Sequence, residues 1–304
     1  MPPLDALVRA GHDVAVVVTR PDRRRGRGAA TSPSPVKLAA QRLGIPVAHH
    51  PDAVLDVSAD LGVVVAYGRI VPARLLEQVP MVNLHFSLLP RWRGAAPVER
   101  AILAGDATTG VCVMALEPEL DTGPVYASLR VPIAADDTLD TLRTRLVAAG
   151  TDLLVDVLSG PLPEPRPQTG EATYAEKITP GELELRWERP AAELDRVVRL
   201  GRAWTTWRGR RIRILDAEVV PAPDGAAAPD GAAAPDGAAA PDGAAAPDGA
   251  ATAPPGTLTA DVVWAGYGGL RLRRVQPEGR AAMDAADWLR GARPSPAERF
   301  GASP

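Results

Sequence analysis

The sequence predicts an α/β domain, built as a doubly wound and mostly parallel sheet, followed by a smaller β-rich domain. Two features carry this reading. Apolar runs of strand length alternate with amphipathic helical segments as far as a Pro-rich stretch at residues 161–168, and such alternation buries a parallel sheet between helices. Beyond that stretch the apolar runs become short and turn residues separate them, which is the pattern of a small barrel or sandwich.

Residues 4–10 are apolar at helical spacing and stop at Gly11, a natural C-terminal cap. Residues 13–19 contain Val-Ala-Val-Val-Val, predicting a buried strand. A basic, glycine-containing loop fills residues 20–33, after which Ser34 caps a helix that Pro35 opens and Gly44 ends. Strands follow at 61–66 and 82–86, a helix over 96–104, a strand over 111–116, and a long amphipathic helix over 138–158 capped by Asp137 or Thr138. Sheets of this kind bind ligands at the carboxyl ends of their strands. The chain opens on a helix, with no strand before it.

After the Pro-rich stretch, Leu183, Leu185 and Trp187 alternate as in a strand over 182–188, and a helix is expected over 190–200. Strand character returns at 211–220, 257–264 and 270–275. Residues 222–251 repeat Ala-Pro-Asp-Gly-Ala-Ala. Pro-Asp-Gly forms turns and the remaining residues are too small to build a core, so a disordered insertion in a surface hairpin is expected.

The composition, 46% hydrophobic and 23% charged, is that of a soluble globular protein. No apolar run is long enough to cross a bilayer, and the start lacks the regions of a signal peptide. The single cysteine, Cys112, excludes a disulfide framework and a cysteine metal site, and a cytoplasmic location is expected. Five aspartates of the repeat produce the formal net charge of −3, and setting them aside turns it positive. Arginines cluster at 20–27, 208–213 and 271–274, where an anionic partner would be held.

The strand at 82–86 carries the candidate site. Val82, Leu84 and Phe86 share one face, while Asn83, His85 and Ser87 share the other. Pro90 ends the strand, so the polar row lies near its carboxyl end. An asparagine amide donates to an oxyanion developing at a carbonyl. A histidine shuttles protons near neutral pH, and a carboxylate orients it and favours its charged form. Asp121 follows the next strand in a turn that brings it towards this row. No Gly-x-Ser-x-Gly elbow supplies a serine nucleophile, so direct attack by a substrate amine on a bound acyl donor is the simplest mechanism. His49 and His50 are adjacent and point apart in an extended chain, which makes a poor metal pair. No metal is expected.

The run Asn83-Leu84-His85-Phe86-Ser87-Leu88-Leu89-Pro90-Arg91-Trp92-Arg93, continuing Gly94-Ala95-Ala96-Pro97, resembles the signature of the methionyl-tRNA formyltransferases. Leu120-Asp121-Thr122-Gly123-Pro124 resembles their second motif. The resemblance implies a formyltransferase domain of Rossmann-like fold over residues 1–165, a linker over 166–181 and a tRNA-binding barrel of the OB type over 182–304, with the low-complexity insertion inside it. It implies Asn83, His85 and Asp121 as the catalytic trio, with Ser87, Leu88, Leu89 and Pro90 lining the tetrahydrofolate site. The implied reaction moves a formyl group from 10-formyltetrahydrofolate to the α-amino group of methionine on initiator tRNA.

Residues 20–28 resemble the family's basic loop, which enters the tRNA acceptor stem, so Arg23, Arg24, Arg25 and Arg27 are expected tRNA contacts. Lys177, Arg210, Arg211 and Arg213, in or beside the barrel, are expected to meet phosphates. Residues 201–207 are a loose version of the family's Asn-Pro-Trp-Pro stretch. The family's opening strand and its Gly-Thr-Pro turn have no counterpart, and a start codon placed too far downstream is the expected reason. A monomer without protein partners is expected. A sugar-nucleotide N-formyltransferase is the alternative enzyme, against which the basic loop and barrel argue. A formyltetrahydrofolate hydrolase would need no tRNA surface. A tRNA-binding protein with a crippled catalytic domain is the alternative of a different class.

Overall fold

The computed structural model describes residues 2–24, 31–222, 253–296 and 298–301. They form two compact units. The first comprises residues 1–101, 106–135 and 140–177, and the second comprises 102–105, 136–139 and 178–304. Residues 166–177, expected within a linker, therefore pack into the first unit.

In chain order the elements up to residue 175 are α1 (Pro2–Arg9), β1 (Val17–Val18), β2 (Arg23–Arg24), β3 (Thr31–Ser32), α2 (Pro35–Arg42), β4 (Val47–Ala48), β5 (Gly62–Val65), α3 (Ala73–Leu76), β6 (Met81–His85), β7 (Arg93–Gly94), α4 (Pro97–Ala104), β8 (Thr108–Ala115), β9 (Val125–Pro132), α5 (Leu139–Leu158) and β10 (Tyr174–Ala175). Helix α2 starts as the sequence predicts. Ser34 has extended backbone, its hydroxyl accepts from the Lys37 amide at 3.2 Å, and Pro35 occupies the first turn, where no partner for its missing N–H is needed.

The main sheet has the order β5-β6-β8-β9. β5 and β6 are parallel, and β8 and β9 then extend the sheet antiparallel. In this sheet the parallel character, expected for most of the strands, thus stops at β6. The loop between β8 and β9 is short enough to close them as a hairpin. β1 and β4 pair in parallel as a separate two-stranded sheet, so only Val17 and Val18 of the strand expected over 13–19 are paired. Among the described residues β5 has one strand partner, and its four residues are half-buried, whereas four of the five in β6 are buried.

Helix α5 lies close against the sheet at Gly150. A Cβ there would come within 3.2 Å of the Leu84 side chain and 3.4 Å of that of Val111. Leu142, Leu146 and Leu154 of the same helix have no solvent-accessible surface. The polar strand β6 is thus backed by a tightly packed helix.

The second unit contains α6 (Ala191–Val198), β11 (Trp204–Trp207), β12 (Arg210–Val220), β13 (Leu258–Thr259), β14 (Val262–Trp264), β15 (Gly269–Pro277), β16 (Met283–Asp284) and α7 (Ala285–Ala292). Its sheet is antiparallel with the order β11-β12-β15-β14-β13, and β16 pairs with β15. No pair joins β11 to β13 among the described residues, so these strands form an open sheet where a closed barrel was expected. The core is aromatic. Trp207 meets Trp288 edge-on at 5.4 Å and Phe300 at 4.7 Å, and the Trp187 indole N–H donates to the Thr205 hydroxyl at 3.1 Å.

One further expectation changes here. Residues 182–188 are not a strand: Pro180–Leu183 is a 3-10 turn, and a single bridge links Glu184 to Trp204. Leu183, Leu185 and Trp187 are buried as their alternation implied, but the backbone between them meets β11 only at that one bridge, where the Leu185 amide donates to the Trp204 carbonyl at 2.8 Å. The repeat lies outside the described residues. The strands that flank it, β12 and β13, are not neighbours, since β12 pairs with β11 and β15 while β13 pairs with β14.

Candidate active site

Strand β6 delivers Asn83 and His85 to one region, and the turn after β8 delivers Asp121 to the same place. The Asp121 carboxylate accepts from Asn83 Nδ2 at 3.4 Å on one oxygen and from the Gly94 amide at 2.8 Å on the other. That second oxygen lies 3.6 Å from His85 Nδ1. His85 and Asp121 are buried, at 5% and 8% exposure. The three residues that the strand alternation and the motifs singled out are thus brought together.

The imidazole's orientation follows from its other nitrogen. His85 Nε2 stands 2.9 Å from the Trp92 carbonyl oxygen. A carbonyl only accepts, so Nε2 carries the hydrogen and donates it. Nδ1 then faces Asp121. Trp92 has φ +62°, a left-handed conformation that turns its carbonyl towards His85. Its position is fixed by its own amide, which donates to the Thr173 hydroxyl at 2.9 Å, and by its indole N–H, which donates to Asp106 at 2.8 Å. Arg91 grips the same aspartate with two N–H bonds of 3.0 and 2.6 Å, which hold the guanidinium pKa above its ordinary value.

Glycines make the turn around Asp121 possible. A Cβ on Gly123 would lie 2.0 Å from the Ala115 carbonyl oxygen, so only glycine lets the turn close against β8. Asp121 itself has φ +51°, a left-handed conformation uncommon for a residue with a side chain. Gly110 plays a similar part opposite the Ser87–Pro90 loop, since a Cβ there would collide with the Leu88 side chain at 2.5 Å.

Cys112 stands opposite His85 in the register of β6 and β8. Burial pushes its thiol up to about 11. It is not a thiolate at neutral pH and supplies no nucleophile, which leaves direct transfer between two substrates as the chemistry this arrangement can support.

The remaining expected residues are placed as follows. Ser87 is fully buried and its hydroxyl donates to the Arg91 carbonyl at 2.5 Å, closing its own loop instead of facing outward. Leu88, Leu89 and Pro90 are half-buried. Arg23 and Arg24 form β2, which pairs antiparallel with β3, while Arg25 and Arg27 lie outside the described residues. Lys177, Arg210, Arg211 and Arg213 are exposed. Arg211 and Arg213 alternate along β12 with buried Ile212 and Ile214, and the Arg211 guanidinium stacks 3.7 Å above the Trp204 ring. Among the described residues no group of His, Cys, Asp or Glu is arranged to hold a metal ion. Sequence reasoning missed Trp92, Gly94, Gln168 and Thr173. Trp92 and Gly94 act through the backbone, and Gln168 and Thr173 sit far away in sequence, where strand alternation gives no signal.

The profile of the formyl transferase family matches residues 3–158, and that of the formyl transferase C-terminal domain matches residues 177–293. A methionyl-tRNA formyltransferase from Acidothermus cellulolyticus is 42% identical over 99% of this chain and 96% of its own. One from Thermobifida fusca is 41% identical over 99% and 96%. Among solved structures, HypX from Aquifex aeolicus in complex with tetrahydrofolic acid superposes with a TM-score of 0.54 at 15% identity, covering 83% of this chain and 43% of that one. A methionyl-tRNA formyltransferase from Clostridium thermocellum gives 0.50 at 16% identity, covering 67% and 92%. Both structures share the fold. With one family profile spanning half the chain and relatives above 40% identity along nearly all of it, the chain belongs to the formyl transferase family, among the methionyl-tRNA formyltransferases.

Proposed function

We infer that the chain transfers a formyl group from 10-formyltetrahydrofolate to the α-amino group of methionine on initiator tRNA, with Asn83, His85 and Asp121 as its catalytic residues. The observation that carries the assignment is the convergence of a half-buried amide with a buried, oriented imidazole and a buried carboxylate. 10-Formyltetrahydrofolate supplies the formyl group and carries away the electron pair of the bond that breaks. Asn83 Nδ2 donates to the oxyanion that develops as the methionine amine adds to the formyl carbon. His85, protonated at Nδ1, adds positive charge beside that oxygen. Asp121 holds the ring and accepts the proton the amine must lose, and that proton passes on to the tetrahydrofolate nitrogen that leaves with the electron pair. Leu88, Leu89 and Pro90 offer a half-buried apolar rim that suits the flat pterin of the donor, while Ser87 supports the rim from behind.

Turnover of Met-tRNA with 10-formyltetrahydrofolate tests the reading, and absence of formyl-Met-tRNA would defeat it. Asn83→Ala is expected to lower kcat by about 10²–10³-fold, the usual cost of one oxyanion donor, with KM little changed.

The tRNA surface is assigned to the basic loop at Arg23, Arg24, Arg25 and Arg27, to Lys177, and to Arg210, Arg211 and Arg213 of the second unit. The OB-type reading of that unit rests on its sequence resemblance. Arg213 has an outward position on β12 suited to a phosphate. For Arg213→Ala the slope of log K against log salt for tRNA binding should shallow by about one. An unchanged slope would remove Arg213 from the interface.

A further inference from the structure

We infer that residues 166–175 act as a strap across the catalytic site and that Gln168 is a positioning residue for Asp121. The inference rests on the role given to Asp121 above.

The strap is anchored at both ends. Arg166 exchanges two backbone hydrogen bonds with Val125, both of 2.8 Å. At the other end Tyr174 and Ala175 pair in parallel with Arg93 and Gly94, and the Ala175 carbonyl accepts from the Ala95 and Ala96 amides at 2.9 and 3.0 Å. Between these anchors the side chain of Gln168 uses every hydrogen-bonding site it has. Its Nε2 donates to the carbonyls of Asp121 and Gly123, at 2.9 and 2.8 Å. Its Oε1 accepts from Arg93 Nε and Nη2, at 3.1 and 2.7 Å.

One amide therefore joins the Asp121 turn to β7. The next residue of β7, Gly94, is the one whose amide binds the Asp121 carboxylate. The Asp121 turn needs such a tie because Asp121 is held at φ +51°. A side-chain-bearing residue stays in that region only where its surroundings fix it, and Gln168 binds the carbonyl of the strained residue itself and that of Gly123, two residues on. Gln168 touches neither His85 nor the Asp121 carboxylate. Its loss would leave every reacting group present and change only where Asp121 points.

The test uses the full chain with Gln168→Met and Gln168→Glu, assayed for formylation of Met-tRNA by 10-formyltetrahydrofolate, beside Asp121→Asn. Gln168→Met keeps the length and loses all four bonds. Gln168→Glu keeps the acceptor for Arg93 and loses both donors to the turn. Both variants are expected to lower kcat by about 10- to 100-fold, as small misplacements of catalytic groups do. KM for both substrates should stay within about twofold of the parent, and the unfolding midpoint should stay above the assay temperature. A structural role alone would lower that midpoint while leaving kcat of the folded protein intact, and that result would overturn the inference. So would Gln168→Glu at parental kcat, which would show that only the Arg93 contact matters. Asp121→Asn as active as the parent would remove the underlying reading of Asp121. An inactive Asp121→Asn beside fully active Gln168 variants would overturn the strap alone.

Discussion

Replacing His85 with alanine is expected to abolish measurable formyl transfer, a loss of at least about 10³-fold in kcat. The fold should survive. His85 makes one hydrogen bond to the Trp92 carbonyl and approaches Asp121 at 3.6 Å. Losing the first costs about 1 kcal/mol, and the small cavity left beside β6 adds little. Trp92 stays anchored through its amide and indole to Thr173 and Asp106. Kinetics and thermal unfolding of the same variant separate the two effects, and near-normal turnover in a folded His85→Ala protein would remove His85 from the mechanism. The loss is expected to be this large because the ring has been committed to one task. Its Nε2 is occupied by a carbonyl, so its remaining nitrogen has a single direction in which to act.

The second large effect is on stability. Trp207→Ala is expected to cost about 3–5 kcal/mol, the range for deleting a large aromatic from a packed core. Trp207 is 8% exposed and touches both Trp288 and Phe300. Those two rings come from the far end of the chain, so nothing local can collapse into the space. Phe300 is held there by its amide, which donates to the Gly256 carbonyl at 2.8 Å. Denaturant unfolding followed by tryptophan fluorescence would show the second unit melting at lower concentration. With two compact units, the curve should be fitted with two transitions. A midpoint within about 0.5 kcal/mol of the parent would mean that the cluster is not the core of that unit.

The grouping of Asn83, His85 and Asp121, proposed above as the catalytic residues, was readable in the sequence because much of its signal is local. Strand alternation put Asn83 and His85 on one face, and the resemblance added Asp121. Strand β9 escaped notice because it is an edge: Leu129 is exposed at 43% and no clean apolar alternation marks it. The segment 182–188 was misread for the opposite reason. Leu183, Leu185 and Trp187 alternate and are buried, yet periodicity reports which side chains face a core and not whether the backbone between them is paired. The Pro-rich stretch illustrates a third limit. Its composition reads as a spacer, but the hydrogen bonds of Gln168 and Thr173 depend on groups 45 to 81 residues earlier in the chain. No window of sequence contains both partners.

The strap also bears on how this protein can be divided. The N-terminal family profile ends at residue 158, the last residue of α5, which invites a cut immediately after that helix. Such a fragment would keep Asn83, His85 and Asp121 and most of the apolar core. It would lose the hydroxyl that fixes Trp92, the amide that braces Asp121, and the strand partner of Arg93 and Gly94. Modularity in this chain therefore follows the hydrogen bonds and not the helix end. A piece that keeps these bonds runs through Ala175, whereas one cut at Leu158 loses them all.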